Sequence, residues 1–306
     1  VIDADGTLRD SDVYRARVNN HAKLAYNGVA AWLEGRDGPP EALAAVPGLD
    51  EILRLQDKAA QSLKALRHAQ GALSLETIEA NPVFDGDQLR TLETEEKNRA
   101  KEIIEDFMVA ANGVTARYLS AKAFPSLRRV VRTPKRWERI VAIASEHKLS
   151  LPDRPDSGAL EEFLVQAKAA DPVRFPDLSL AVIKLLGSGE YVAEHPEGNA
   201  PGHFGLAVKD YAHSTAPNRR YPDLVVHRAI KAVLAGDKLP GKELKDIGLH
   251  CSMTERRADD ATRDVDAWLK TYFMQDRIGD EYNGTVSAVT SFGMFVAIDD
   301  IFIEGL

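Results

Sequence analysis

The chain has 306 residues, 44% hydrophobic and 28% charged, with 21 Gly and 15 Pro, an ordinary globular composition long enough for one large core or two domains. Collagen-like, low-complexity and disulfide-scaffold chains are excluded by these figures. The 39 basic and 47 acidic residues give a net charge of −8, which argues only weakly against nucleic acid, because the clustering of basic residues matters more than their sum.

The single cysteine, Cys251, allows no internal disulfide or Cys-rich zinc site and points to a reducing compartment. No apolar run approaches the roughly 18–20 residues that cross a bilayer, and no signal peptide opens the chain. A soluble, cytoplasmic protein without a membrane partner is expected. Val1 opens a strand-like run and residues 301–306 stop inside an alternating apolar pattern, so an internal fragment is expected.

Residues 1–20 predict two strands around the turn at Asp5-Gly6. Helical patterns cover Tyr26 to Leu33 and Leu49 to Leu66, split by the Gly-Arg-Asp-Gly-Pro-Pro breaker at 35–40. Residues 71–95 turn extended, with a hairpin at Asp85-Gly86-Asp87. A helix then runs from about Glu95 to Leu119, with Ile103, Phe107, Ala110, Ala111, Val114 and Tyr118 on one apolar face. Asn98, Glu105 and Asn112 form a polar line beside it, drifting by about 20° per seven residues.

Residues 128–139 hold six Arg and Lys side chains, read here as a solvated helix entry with Trp137 and Ile140 facing the core. A short strand is expected over Leu127 to Val131, and a helix from Pro134 to about residue 148. Further helices are predicted over 158–170, near 179–186, from Pro222 to Leu234 and over 253–275. Ser252 and Glu255 form a capping box for the last of these. His203 to Val208 resembles a strand. After Gly279 the period becomes two, marking a domain boundary near 276–282.

The densest chemistry lies in His213-Ser-Thr-Ala-Pro-Asn-Arg-Arg-Tyr-Pro-Asp-Leu-Val-Val-His-Arg228. Arg219 and Arg220 at the mouth of a helix suit an anion, since planar guanidiniums grip phosphate oxygens and the helix start adds free N–H groups. Asp223 and His227, four apart, share a helix face and can hold each other or an arginine. A salt-bridge network tying the loop to the helix explains the same residues equally well.

With Tyr211-Ala-His, Thr215, Pro217 and Arg219-Arg-Tyr-Pro-Asp-Leu, this stretch resembles the signature of the ribonuclease II/R (RNB) family, close to Tyr-Ala-His-Phe-Thr-Ser-Pro-Ile-Arg-Arg-Tyr. His203-Phe-Gly-Leu-Ala-Val, His21 to Tyr26, Gly71-Ala-Leu-Ser-Leu, Ile103 to Asn112, His250 to Ala258 and Ala261 to Val265 agree in order. Gly284 to Val296 resembles the start of an S1-type OB barrel. Collinearity makes the resemblance specific, and it covers nearly the whole chain.

The resemblance implies an α+β fold: an RNB catalytic module, a mixed sheet with packed helices, over 1–276, then a truncated S1-type RNA-binding OB domain over 277–306. It implies a processive 3′→5′ exoribonuclease, a monomer, that hydrolyses single-stranded RNA to nucleoside 5′-monophosphates by two-metal chemistry. Arg219 would contact the scissile phosphate and stabilise transition-state charge. Arg220, Tyr221 and Thr215 would shape that pocket. Glu105 would hold the terminal nucleotides, with Tyr26 stacking nearby. Phe292 and Phe295 are candidates for base stacking on the barrel, on opposite strand faces if the strand is regular. The family's Mg²⁺ ligands are aspartates expected upstream of Val1, so these residues alone should cleave RNA barely or not at all.

Four positions depart from the pattern. Ser214 stands for Phe, Ala216 for Ser and Asn218 for Ile, and Leu75 occupies a position where several members carry a stacking Phe. The alternative class is an RNB homologue that has lost catalysis and acts as an RNA-binding regulator. An intact Arg219-Arg220-Tyr221 favours the enzyme, since plain binding requires no transition-state clamp.

Overall fold

The computed structural model describes residues 1–77, 80–94, 97–237, 243–298 and 303–305. In chain order the helices and strands are α1 (Tyr26–Leu33), α2 (Glu41–Ala44), α3 (Leu49–Ala69), β1 (Ala80–Asp85), β2 (Gln88–Thr94), α4 (Arg99–Ala121), β3 (Ser126–Val130), α5 (Trp137–Glu146), α6 (Ser157–Ala170), α7 (Phe175–Leu186), β4 (Glu190–Glu194), α8 (Tyr221–Ala235), α9 (Leu244–Met274), β5 (Gly284–Thr290), β6 (Gly293–Ile298) and β7 (Ile303–Gly305). The strands form three small antiparallel sheets, β1–β2, β3–β4 and β5–β6–β7. An α+β architecture follows. The chain divides into two compact units, one of residues 1–74, 97–170 and 182–252, the other of residues 75–96, 171–181 and 253–306.

In the first unit α4 is the central scaffold. Asn98 caps its start, its side chain accepting from the Lys101 N–H. Ala116 and Leu119 of α4 pack with Leu127 of β3, Ala212, and Val225, Val226 and Ala229 of α8 in one buried cluster. That cluster fixes α8, and with it the Arg219-Arg220 segment, against α4. A second cluster of Val29, Ala30 and Ala100 seats α1 on the beginning of α4.

Between α3 and α4 the contact is ionic. Lys64 Nζ pairs with Glu102 at 2.6 Å, Arg99 bridges Asp57 and Glu102, and Arg67 pairs with Asp106, whose side chain is 2% exposed. Burial pushes the Asp106 carboxyl above its ordinary range, against the pull of Arg67 and Lys64.

α4 differs from its expected amphipathic face. Ile103 is buried as predicted, but the other enclosed positions are Ala100, Asp106, Val109, Asn112, Gly113, Thr115, Ala116 and Leu119. Phe107, Ala110, Val114 and Tyr118 are half-buried and Ala111 is exposed. The helix buries polar side chains because Arg67 and the loop over 211–214 bond to them, which no apolar period records. Its expected beginning, Glu95, lies outside the described residues.

Other expectations shift similarly. The N-terminal pair of strands is a single bridge, Ile2 to Leu8, around the predicted turn. Gly6 there has φ 87°, and a Cβ would meet the Ser62 carbonyl oxygen at 2.3 Å, so the turn tolerates only glycine. His203 to Val208 is a 3₁₀ turn over Phe204–Leu206 rather than a strand, closed by Leu206 N–H donating to His203 Nδ1 at 3.2 Å. His203 alone bridges back to Val131 and Val208. Ser252 is no cap: it lies inside α9, buried, donating to the Gly248 carbonyl and accepting from the Tyr191 N–H of β4, both at 2.8 Å.

In the second unit β1 and β2 form the predicted hairpin around Gly86, which has φ 62°. The period-two run forms β5 and β6, whose register slips between Val286 and Ala288. Ile301, Phe302 and Leu306 of the expected final strand pattern lie outside the described residues.

Candidate functional site

The site is built on the segment from His203 to α8. β3 lies between β4 and this segment: Arg129 N–H donates to the Tyr211 carbonyl at 2.9 Å, and Phe204 N–H donates to that of Val131 at 2.9 Å. Four rings stack edge to face along it. His203 meets Tyr211 at 5.5 Å between centroids, Tyr211 meets His213 at 5.6 Å, and His213 meets Tyr191 at 5.7 Å. The Arg129 guanidinium lies 4.8 Å from the Tyr191 ring centre.

Burial holds both imidazoles neutral. His213 is pushed down to about 3 by desolvation, then by Arg220, Arg129, His203 and Arg219, and His203 to about 4 by desolvation and Arg129. The Tyr211 hydroxyl is pushed up by burial, although Arg220, Arg67 and Arg129 all favour its ionised form. Four arginines, Arg67, Arg129, Arg219 and Arg220, thus converge on this segment from three places in the chain.

Asp223 and His227 do not bond each other; each holds the loop. Asp223 Oδ1 accepts from the Ala216 N–H at 2.8 Å and from Arg220 Nη2 at 2.7 Å. His227 Nε2 bonds the Ser214 carbonyl at 2.6 Å. Arg220 is the residue before α8 and also reaches Thr215 Oγ1 at 3.4 Å, so the structure brings Thr215, Arg220 and Asp223 together. Pro222 occupies the first turn as expected.

Arg219 is different. Its side chain is exposed and, among the described residues, has no ion pair or hydrogen bond. Its backbone N–H donates to the Ala216 carbonyl at 3.2 Å, which fixes where the side chain leaves the loop. Tyr221 beside it is 50% exposed. An exposed guanidinium beside Arg220 that, among the described residues, pairs with no carboxylate suits an incoming phosphate.

Glu105 is exposed on α4, next to the buried Asp106. Tyr26 is 48% exposed at the first position of α1, where Asn98 Nδ2 donates to Asn27 Oδ1 at 3.2 Å. Among the described residues no hydrogen bond joins Tyr26 and Glu105. Leu75 is half-buried and belongs, with Phe292 and Phe295, to the second unit. Phe292 lies in the turn before β6, not in the strand, so strand alternation does not separate it from Phe295: their rings meet edge to face at 6.3 Å.

The basic run at 128–139 is not uniformly solvated. Arg128 is buried, its Nη2 donating to Ser120 Oγ at 2.5 Å, and desolvation depresses its basicity. Lys135, Arg136 and Arg139 are exposed, while Trp137 and Ile140 face the core as expected. Thr115 and Tyr191 escaped the sequence reading, and Asn112 and Arg129 were placed only on a polar line and in the basic run; their partners lie far away in the chain.

Among the described residues no group of three or more His, Cys, Asp or Glu side chains is placed to hold a metal ion. The described residues therefore make no metal site.

An exposed arginine just before a helix start, backed by neutral histidines, thus stands in a chain of mixed α and β structure. The RNB domain model matches residues 1–236, and the chain belongs to the RNB domain family. Ribonuclease R of Escherichia coli (strain K12) is 37% identical over 325 residues, an alignment covering 100% of this chain and 38% of that protein. The chain thus spans little more than a third of that relative. The apo form of Mycoplasma genitalium RNase R superposes with a TM-score of 0.89 at 23% identity, covering 100% of this chain and 48% of that one. The same enzyme in complex with ribose methylated single-stranded RNA gives 0.81 at 24% identity, covering 92% and 44%. At these identities the structures show the shared fold.

Proposed function

We propose that the protein carrying this chain is a processive 3′→5′ exoribonuclease that hydrolyses single-stranded RNA to nucleoside 5′-monophosphates. The observation that carries the reading is Arg219: an exposed guanidinium that pairs with no carboxylate among the described residues, set at a helix start in an RNB fold. A relative at 37% identity bears the name Ribonuclease R, and an RNase R of like fold has been solved with single-stranded RNA.

In this reading Arg219 contacts the scissile phosphate. Arg220, held by Asp223 and close to Thr215, sets the loop's shape, and Tyr221 lines the same mouth. Glu105 and Tyr26 hold the terminal nucleotides. Leu75, Phe292 and Phe295 meet bases from the second unit. Residues 1–276 belong to the catalytic module and 277–306 begin an S1-type RNA-binding domain, a reading supported by the β5–β6–β7 meander after the change of period. Mg²⁺ dependence is proposed for the whole protein, with ligands outside these residues, so residues 1–306 alone should be inactive. The working form is a cytoplasmic monomer.

The test is degradation of 5′-labelled single-stranded RNA by the full-length protein, with Mg²⁺ and with chelator. Mg²⁺-dependent release of 5′-mononucleotides from the 3′ end is expected. RNA binding without cleavage would instead assign the protein to the inactive, RNA-binding class.

A further inference from the structure

We infer that Asn112 is the positioning residue of the phosphate-binding segment, fixing residues 211–214 to α4 and thereby setting where Arg219 stands relative to Glu105. The inference rests on the phosphate role proposed for Arg219.

Asn112 is fully enclosed, at 0% exposure. Its Oδ1 accepts from both the Ser214 N–H, at 2.9 Å, and Ser214 Oγ, at 3.0 Å. Its Nδ2 donates to the Tyr211 hydroxyl at 3.1 Å, and its carbonyl accepts from the Ala212 N–H at 3.4 Å. One side chain and one peptide group thus grip three of four consecutive residues. Ser214 also lies 3.0 Å from Thr115 Oγ1, and its carbonyl is taken by His227. The segment is tied to α4 on one side and α8 on the other. Five residues beyond Ser214 the chain delivers Arg219.

The grip demands an amide. Ser214 offers two donors to one oxygen, while the Tyr211 hydroxyl takes a proton from the other end of the same group; no other side chain of this length presents both without a charge. Aspartate would bury a carboxylate, and leucine would leave the Ser214 and Tyr211 groups unmatched. Asn112 lies seven residues from Glu105, nearly two helical turns, so the two share one line along α4 about 10 Å apart in rise. A rigid helix therefore sets the spacing between the loop's anchor and the acid proposed to hold the RNA end. Reacting groups displaced by an ångström lose about two orders of magnitude in rate.

The experiment uses full-length protein and three readouts: single-turnover cleavage, RNA affinity, and amide hydrogen exchange of the peptide covering residues 210–217. Asn112→Leu is expected to slow cleavage about a hundredfold while RNA affinity changes less than threefold, and to accelerate exchange in 210–217 but not in α5. Combined with Arg219→Ala, it should add little to the loss from Arg219→Ala alone, because both remove the same contribution. Tyr211→Phe, which deletes one acceptor and keeps the ring, should show the same pattern with about a tenfold loss, and it decides the matter if Asn112→Leu does not fold. Multiplying losses in the double variants, or unchanged exchange in 210–217, would overturn the inference. A wild-type protein that cleaves no RNA defeats the exoribonuclease reading instead; exchange then still decides whether Asn112 fixes the segment.

Discussion

Asp223 and Arg220 form an ion pair across the first turn of α8, Oδ1 to Nη2 at 2.7 Å, with the carboxylate 0% exposed and the guanidinium 20%. The pair separates two adjacent arginines into different tasks. Arg220 is held inward beside the loop it stabilises, and Arg219 is left to solvent. Adjacent guanidiniums repel, so anchoring one with a buried counter-charge lets the other face outward without the loop opening.

Removing that counter-charge should be costly. Asp223→Ala leaves Arg220 uncompensated and the Ala216 N–H without its acceptor, a loss of about 3 kcal/mol or more in unfolding free energy. Asp223→Asn, which keeps an acceptor for Ala216, should lose less. Urea denaturation followed by circular dichroism distinguishes them, and a loss under about 1 kcal/mol for the alanine variant would show the pair to be dispensable.

Stability should fall on acidification through His203 and His213. Their folded values lie near 4 and near 3, below the ordinary 6.5, so the unfolded chain binds the protons more tightly. The stabilisation is complete above pH 6.5 and is lost as the pH falls towards those folded values, at up to about 1.4 kcal/mol per pH unit for each histidine. Unfolding free energies at pH 7 and pH 5 measure the slope. His213→Gln should flatten it whatever the variant's absolute stability, and an unchanged slope would show that His213 is not held neutral.

What the sequence made legible was local. Tyr26 to Leu33, the hairpin at Asp85 to Asp87 and the helix opened by Pro222 follow from period and turn chemistry, and the structure has them at nearly those bounds. The Asp223–His227 spacing pointed to the right loop, though each residue holds it separately. Asn112 was placed on a polar line and read no further, because its partners Tyr211 and Ser214 lie 99 and 102 residues away. Ser252 matched a capping pattern four positions long, while the N–H it serves, on Tyr191, is 61 residues distant. The six residues from His203 to Val208 are too few for alternation to tell a strand from a tight turn around Gly205.

Leu75→Phe should tighten the hold on short RNA. Leucine packs against a base but offers no aromatic face, and a stacked base is worth roughly 1–3 kcal/mol. Dissociation of a labelled pentanucleotide from the full-length protein, without Mg²⁺ to prevent cleavage, should slow at least fivefold. Equal off-rates for the two proteins would remove residue 75 from the RNA path.

Arg219→Ala should lower turnover by about a hundredfold or more, the scale of losing one donor aimed at transition-state charge. RNA affinity should change little, because the remaining cationic side chains still meet the backbone phosphates. Arg219→Lys should recover only a small part of the rate: a point charge on a flexible stem does not reproduce the two parallel N–H groups that a guanidinium presents to phosphate oxygens. Single-turnover rates beside equilibrium binding separate the effects. Loss of both in equal proportion would make Arg219 a general RNA contact, and loss of neither would leave this exposed guanidinium outside the reaction altogether.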